Sequence, residues 1–415
     1  VTTADVLVVG GGPAGAATAH WLARGGHAVT VVERRTHPRS KTCGDSLSPR
    51  AVHQLHEMGL ADALAGAHRT LGVRVVAHDR AVQVAWPSHV DLPAHGLVVA
   101  RRDLDLLVAD RARAAGATIL EGHEAVEPVV ERGFVRGARV LRRDGGAAPI
   151  ELRARYVVVA DGANSRFGRA VGTFRAREWP YAMAARAYWD SPRHDEPWLE
   201  TSFDLTDRAG AAMPGYGWAF PLGDGRVNVG VGVLSTYRDV KSLNTTAVLS
   251  EHAVRIADRW GIDPRRPAAK AAGGRIPLGG SVGPLAGPTF LIVGDAAAAV
   301  NPFDGDGLVG AFETARIAAE VVHEALLADD ASVLQEYPRR YDARFGDYFK
   351  AGRLFARLAA RPALMRHASS AILRSRALTA GTARIMTGHL RPDVRGLPEA
   401  TYGAAGRLLE LAPEA

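Results

Sequence analysis

The 415-residue sequence has a single cysteine, Cys43, so no intrachain disulfide can form and nothing points to an oxidising compartment. No apolar run reaches the roughly 18 residues that suggest a spanning helix, and no secretory leader precedes the first strand-like segment. A cytoplasmic protein is therefore expected. Repeats, low-complexity tracts and metal-ligand patterns are absent, and no metal is expected. Nothing points to an oligomeric state. Acidic residues are missing altogether between 348 and 391. What is present is ordinary globular material, 47% hydrophobic and 23% charged, long enough for two domains. A net charge of +7 favours an anionic partner.

The stretch VLVVGGGPAGAATAHWLARGGHAVTVVE (6–33) reads as strand, glycine turn, helix, strand and a closing acid. Gly10, Gly12 and Gly15 have G-x-G-x-x-G spacing, with Pro13 and Ala14 opening the helix. Gly10 permits the tight turn, Gly12 lets backbone approach a pyrophosphate, and Gly15 lets helix and strand pack closely. The helix N-terminus then points free N–H groups at the phosphates. Glu33 ends the second strand, where a carboxylate can accept from ribose hydroxyls, and Arg34 follows it. This acid disfavours a 2′-phosphate.

Two further strand-to-turn elements separate a flavin from a nicotinamide. VVVADGANSR places Asp161-Gly162 after a buried strand, and FLIVGDAAAAVNPFDGDG places Gly294-Asp295 after another. Asp295 suits the ribityl hydroxyls of FAD, or an N-cap, or both. The turn Pro302–Gly307, with Gly305, leads into a helix near Leu308 whose positive end suits a reduced flavin ring. Val126 is added to the expected cofactor-binding set. With only one G-x-G-x-x-G, the electrons come from NAD(P)H docking without its own fingerprint or from another reduced carrier.

The expected fold is α/β: a Rossmann-type FAD-binding domain with an inserted antiparallel β-sheet substrate domain and a helical C-terminus. The FAD-binding domain is read as 1–70, 100–172 and 275–330. The sheet domain is read as 71–99 and 173–274, and the helical region as 331–415. Apolar and polar residues alternate over 71–86, which predicts a hairpin. The strand ending at Ile292 is expected to run straight into a helix.

Tyr216, Trp218 and Phe220 alternate and share one strand face, either as sheet core or as a wall for a long apolar ligand. In the next strand Val227, Val229, Val231 and Val233 share one face, while Asn228, Gly230 and Gly232 share the other. So bare a face needs a backbone or a ligand against it.

Together the glycine turn with Glu33, Asp161-Gly162 and Gly294-Asp295 resemble the para-hydroxybenzoate-hydroxylase-fold flavoproteins. KTCGDSLSPRAV (41–52), PGYGWAFPLGDGRVNVGVG (214–232) and NPFDGDGL (301–308) are similar to the geranylgeranyl reductase family, most closely its branch that saturates the isoprenoid tail of menaquinone. The resemblance spans residues 5 to about 325. It implies one bound FAD, a lipophilic isoprenoid substrate and reduction of alkenes by flavin hydride transfer plus protonation. Cys43, Gly44 and Asp45 match the family's CGD loop, with Cys43 and Asp45 the catalytic candidates. Arg101 and Asp105 match its R-x-x-[FL]-D motif, and the three aromatics its cavity motif. Ser46, Asp304, Asp306 and Val309-Gly310 depart from the family pattern. That keeps an FAD-dependent monooxygenase acting on an aromatic or polyketide in view, although no Trp-x-Trp-x-Ile halogenase motif is present.

From 348 to 391 nine Lys or Arg interleave with Phe349, Leu354, Phe355, Leu358, Leu364, Met365, Ile372 and Leu373. Such helices either lie on an anionic bilayer, here the inner face of the cell membrane, or cap the nucleotide domain with a solvated basic face. No nucleic-acid reader motif is present, and no nucleic-acid partner is expected.

Overall fold

The computed structural model describes residues 2–87, 89–145, 148–207 and 210–389; Arg391 and the rest of the tail from 390 lie outside the described residues. The first sheet runs in the order Thr118–Glu121, Val29–Glu33, Thr2–Val9, Ile150–Val159, Phe134–Arg142, His123–Glu131. Phe290–Ile292 also pairs with Ile150–Val159, in parallel. The four pairings that join Thr118–Glu121, Val29–Glu33, Thr2–Val9, Ile150–Val159 and Phe290–Ile292 are parallel. Val6, Leu7, Val8, Val157, Val158, Val159, Leu291 and Ile292 are all about 1% exposed or less, as expected for strands covered on both faces. Helices Pro13–Arg24 and Leu308–Ala328 pack on one another beside this sheet. The C-terminal ends of its strands deliver Gly10, Glu33, Asp161 and Asp295 to one crevice, where open α/β sheets bind ligands.

The second sheet runs in the order Ala272–Pro277, Tyr181–Asp190, Arg226–Leu234, Gly215–Pro221, Trp198–Ser202, Gly72–Ala77, Arg80–Ala85. Its pairings are antiparallel except that between Trp198–Ser202 and Gly72–Ala77. The hairpin read over 71–86 is its last two strands, closed by His78 and Asp79, both at positive φ, as a two-residue hairpin turn requires. Val227, Val229, Val231 and Val233 pack under helix Thr245–Trp260. The opposite face carries Tyr216, Trp218 and Phe220.

One expectation needs correction. The alanine run after Ile292 does not form an α-helix: it makes one 3₁₀ turn, Gly294–Ala297, and the helix begins only at Leu308. The run is small because Leu308–Ala328 passes so close that a Cβ on Gly310 would lie 1.6 Å from the Ala299 carbonyl oxygen. The C-terminal helices Pro362–Leu373 and Arg376–Met386 pack on the 72–85 hairpin of the second sheet. The 348–391 segment also touches the nucleotide domain: Phe349 enters its core, and the Met386 and Gly388 carbonyls accept from Asn301 and Arg50. Among the described residues no helix is long and apolar enough to cross a membrane.

Three histidines are enclosed: His20, His252 and His389 are each 2% exposed or less. Burial pushes them down from the ordinary 6.5 to about 4, about 3 and about 3. Between pH 6.5 and about 4 the unfolded chain binds protons that the folded chain refuses, so stability falls as pH falls. The slope is about 1.4 kcal/mol per pH unit per histidine. The Tm is expected to drop steeply from pH 6.5 to 4.5, and His252→Gln to flatten the drop. A Tm unchanged across that window would contradict the assignment.

Candidate active site

The glycine turn works by close approach. A Cβ on Gly10, at φ +106°, would lie 2.4 Å from the Ala160 carbonyl oxygen, and one on Gly15 would lie 1.8 Å from the Gly10 oxygen. Only hydrogen lets the helix start this near the strands. Glu33 steadies the turn from the side: its Oε2 accepts from Gly11 N at 2.8 Å and its Oε1 from Arg35 N at 2.9 Å. Arg39, which belongs to no recognisable motif, lies over Gly12, with a guanidinium nitrogen 3.2 Å from where a Cβ would be. It also reaches Asp105 at 3.2 Å. Arg101 grips the same Asp105 with two bonds, 2.7 and 3.0 Å.

From this turn a cavity of about 1080 Å³ extends to the second sheet, at the large end for a small-molecule site. At the turn end Gly10, Gly12, Pro13, Ala14, Glu33, Arg34 and Arg101 line it. Further in come Cys43, Gly44, Asp161, Gly162, Asp295, Gly305, Gly307 and Leu308. Tyr216, Trp218 and Phe220 form the far wall, neighbouring ring centroids 6.1 and 6.2 Å apart. Leu358, Leu364, Met365, Ile372, Leu373 and Met386 line it from the C-terminal helices.

Several expected residues stand behind the wall rather than in it. Gly15 and Gly294 are packing positions; a Cβ on Gly294 would come 2.6 Å from that of Ala14. Pro302 is buried against Gly352, whose added Cβ would lie 2.1 Å from its ring. Val126 is 38% exposed and faces outward; its neighbour Ala125 lines the cavity instead. Gly230 and Gly232 do not line the cavity. Trp218 pairs across the strands with Gly230, and its indole covers the bare face, 2.0 Å from where a Gly230 Cβ would stand.

Asp45 is the main correction to the catalytic pair. It is fully buried, at φ +67°, and is not part of the cavity lining. Its Oδ1 accepts from Arg101 N at 3.0 Å, and its Oδ2 from Tyr188 Oη and Asn228 Nδ2, both at 2.6 Å. Burial pushes its carboxyl above the usual range, against the pull of these donors. Asn228 also donates to the Cys43 carbonyl at 2.8 Å and accepts from Trp218 Nε1 at 3.0 Å. Asp45 therefore fastens the 43–45 loop to the helix at Arg101 and to the second sheet. Asp45→Ala would strand three buried donors at about 1–3 kcal/mol each, and its Tm is expected to fall sharply even without ligand.

Cys43 does face the cavity. Burial pushes its thiol up, so it stays protonated. Asp295 is paired with Lys41 at 2.8 Å; burial works against its charge, but Lys41, Arg101 and Arg175 hold its carboxyl below the usual range. Asp161 accepts from Phe167 N at Oδ2, 2.9 Å, and its buried Oδ1 has no hydrogen-bond partner among the described residues. That orphaned acceptor, the crowded glycine turn and Asp295 along one cavity fit a flavin dinucleotide, whose hydroxyls and phosphates need acceptors and N–H donors in that order.

The comparisons agree with this geometry. Residues 3–202 match the FAD binding domain family model. The chain is 38% identical to the menaquinone reductase of Mycobacterium tuberculosis over 99% of its own length and 97% of the relative's. The chain belongs to the geranylgeranyl reductase family of FAD-dependent oxidoreductases. A second member, digeranylgeranylglycerophospholipid reductase 1 of Methanopyrus kandleri, is 33% identical over 85% of this chain and 90% of the relative. Among solved structures, a geranylgeranyl bacteriochlorophyll reductase-like protein from Thermoplasma acidophilum superposes with a TM-score of 0.77. The identity is 23%, over 94% of this chain and 97% of that one. A flavin-dependent brominase reaches 0.74 at 19% identity, over 99% and 100% of the two chains. These two likenesses show the fold alone, which reductases and halogenases share. The matched FAD binding domain assigns FAD as the cofactor of this chain.

Proposed function

We propose that the protein saturates a carbon–carbon double bond in the polyprenyl tail of a quinone of the menaquinone type. The observation that carries the reading is the cavity's continuity, from the glycine turn to an aromatic wall roofed by leucine, isoleucine and methionine side chains. Each buried methylene of a polyprenyl chain contributes about 0.8 kcal/mol there. The full-length likeness to mycobacterial menaquinone reductases supports the quinone over a glycerophospholipid. FAD, when bound, supplies the hydride. The chain's residues do the rest. Gly10–Ala14 and Glu33 hold the dinucleotide's phosphate and ribose end; Asp161 and Asp295 offer acceptors to hydroxyls. Trp218 and Phe220 align the hydrocarbon and, with the roof, keep water from it. The electron donor is a reduced nicotinamide nucleotide or a similar anionic carrier. Arg34, Arg166 and Arg275 line the cavity and form no ion pair with a described residue. Raising the salt concentration is therefore expected to raise the donor's KM.

The roof is also the membrane contact. Arg361, Arg366, Arg374 and Arg376 are exposed on it, alongside Leu364 at 45% and Leu378 at 50% exposure. Leu364 lines the cavity as well, so a bilayer here would stand at the cavity's edge. Binding to anionic vesicles is expected to weaken on the order of a hundredfold when Arg366, Arg374 and Arg376 are all replaced by glutamine, at about 1 kcal/mol each. Flotation with anionic and neutral vesicles checks this; equal binding to both would contradict it.

The reading is tested by mixing anaerobically reduced holoprotein with a polyprenyl quinone. Reoxidation of the flavin with matching loss of alkene is expected. A flavin that stays reduced, or is reoxidised only by oxygen with an oxygenated product, would overturn it.

A further inference from the structure

The cavity runs on past the aromatic wall, away from the glycine turn. Thr201 pairs across the strands with Trp218 on one side and with Val75 on the other, so the three side chains form a row on the cavity face. Val75 stands two strand spacings, about 10 Å, from Trp218. Val73 and Ala77 flank Val75 on the same strand face. Helix Pro362–Leu373 packs over this strand and lines the cavity with Leu364, Met365 and Ile372. Small side chains below and long ones above leave a slot between strand and helix.

The slot has the chemistry of hydrocarbon. Val73, Val75, Ala77, Leu364, Met365 and Ile372 carry no charge and no N–H or O–H donor in their side chains. Ser369, which also lines the cavity, is already engaged: its Oγ lies 2.8 Å from His78 Nε2 and donates to the Arg366 carbonyl at 3.2 Å. A quinone head, whose carbonyl oxygens seek donors, fits such walls poorly, and a polyprenyl chain fits them well. The slot also reaches the surface. Leu364 lines the cavity yet is 45% exposed, with exposed Arg366 beside it. A chain lying here can therefore run on towards a bilayer held at the roof.

We propose that this slot holds the part of the polyprenyl tail beyond the reacting bond and selects substrates by tail length, with Val75 a specificity-determining residue. This rests on the alkene-reductase reading above. A tail that crosses from Trp218 to Val75 gains the burial of its far units, and a tail that ends at Trp218 does not. Each methylene seated in the slot strengthens binding about fourfold. The quinone head then lies on the other side of the reacting bond, outside the slot.

The test narrows the slot from both sides, with Val75→Phe on the strand and Ala368→Phe on the helix. Both side chains line the cavity and are half-buried, so the added rings have open space to enter. Reduced holoprotein is mixed with two quinones of the same head group, one with a short prenyl tail and one with a long tail, and flavin reoxidation is followed at low quinone concentration. FAD content and reduction by dithionite, measured alongside, show that each variant is folded. The ratio of the long-tail to the short-tail rate should fall by about 10–60-fold in each variant, the equivalent of two to three methylenes kept out of the slot. A ratio unchanged in either folded variant, whether both quinones slow equally or neither slows, would overturn the proposal while leaving the reductase reading intact. A wild type that reduces neither quinone would instead overturn the reductase reading and this proposal with it.

Discussion

A chain carrying Gly15→Ala is expected to purify without the yellow colour of bound flavin. The new methyl would stand 1.8 Å from the Gly10 carbonyl oxygen and 3.2 Å from the Ala160 side chain, both fixed by the sheet. Gly10 cannot give way, because its own approach to Ala160 is already closed to anything larger than hydrogen. The start of helix Pro13–Arg24 must therefore lift, and the free N–H groups of its first turn lift with it. Overpacking of this kind costs about 1–3 kcal/mol or more, and the displaced donors cost affinity besides. A loss of FAD affinity of at least about a hundredfold is expected by flavin titration, with a lowered Tm. Gly66→Ala serves as the control, since a Cβ there meets nothing within 4 Å. A yellow Gly15→Ala protein with normal affinity would contradict the phosphate-cradle assignment.

Gly230→Ala should separate the other half of the site from the cofactor. The added Cβ would fall 2.0 Å from Trp218 Cζ2 and 2.3 Å from Cε2. The indole must swing towards the cavity, breaking its bond to Asn228, which also holds Cys43 and Asp45. FAD content should be little changed, because no phosphate or ribose contact lies on this strand. Reoxidation by the polyprenyl alkene should fall by about 10–100-fold, the rate equivalent of about 1–3 kcal/mol. Trp218→Leu combined with Gly230→Ala should recover stability, since the smaller side chain vacates the space. A Gly230→Ala protein with wild-type alkene kinetics would show that the aromatic wall does not shape the substrate path.

The parts legible in the sequence were those set by local sterics and period. The glycine turn, the paired valine strands and the closing acid are short-range patterns, and each has one low-energy arrangement. Alternation placed Tyr216, Trp218 and Phe220 on one face. It could not say that Trp218 itself covers Gly230, because strand register is a long-range property. Asp45 shows the same limit more sharply. Its partners come from residues 101, 188 and 228, so a residue that reads as an acid in a cofactor loop proves to be a clamp. Arg39 gave no signal at all, being a basic residue in a basic loop. In the C-terminal helices apolar and basic faces were visible, but the surface they cover depends on tertiary docking. The structure turns their apolar faces towards the cavity and leaves four arginines outside.

The central claim is that a flavin held at the glycine turn reduces an alkene held against Trp218. Mass spectrometry of the lipid copurified with the yellow protein, before and after anaerobic reduction, tests it most directly. A polyprenyl quinone that gains one H₂ in its tail is the expected result. A lipid that emerges unchanged, or heavier by one oxygen when air is admitted, would contradict it.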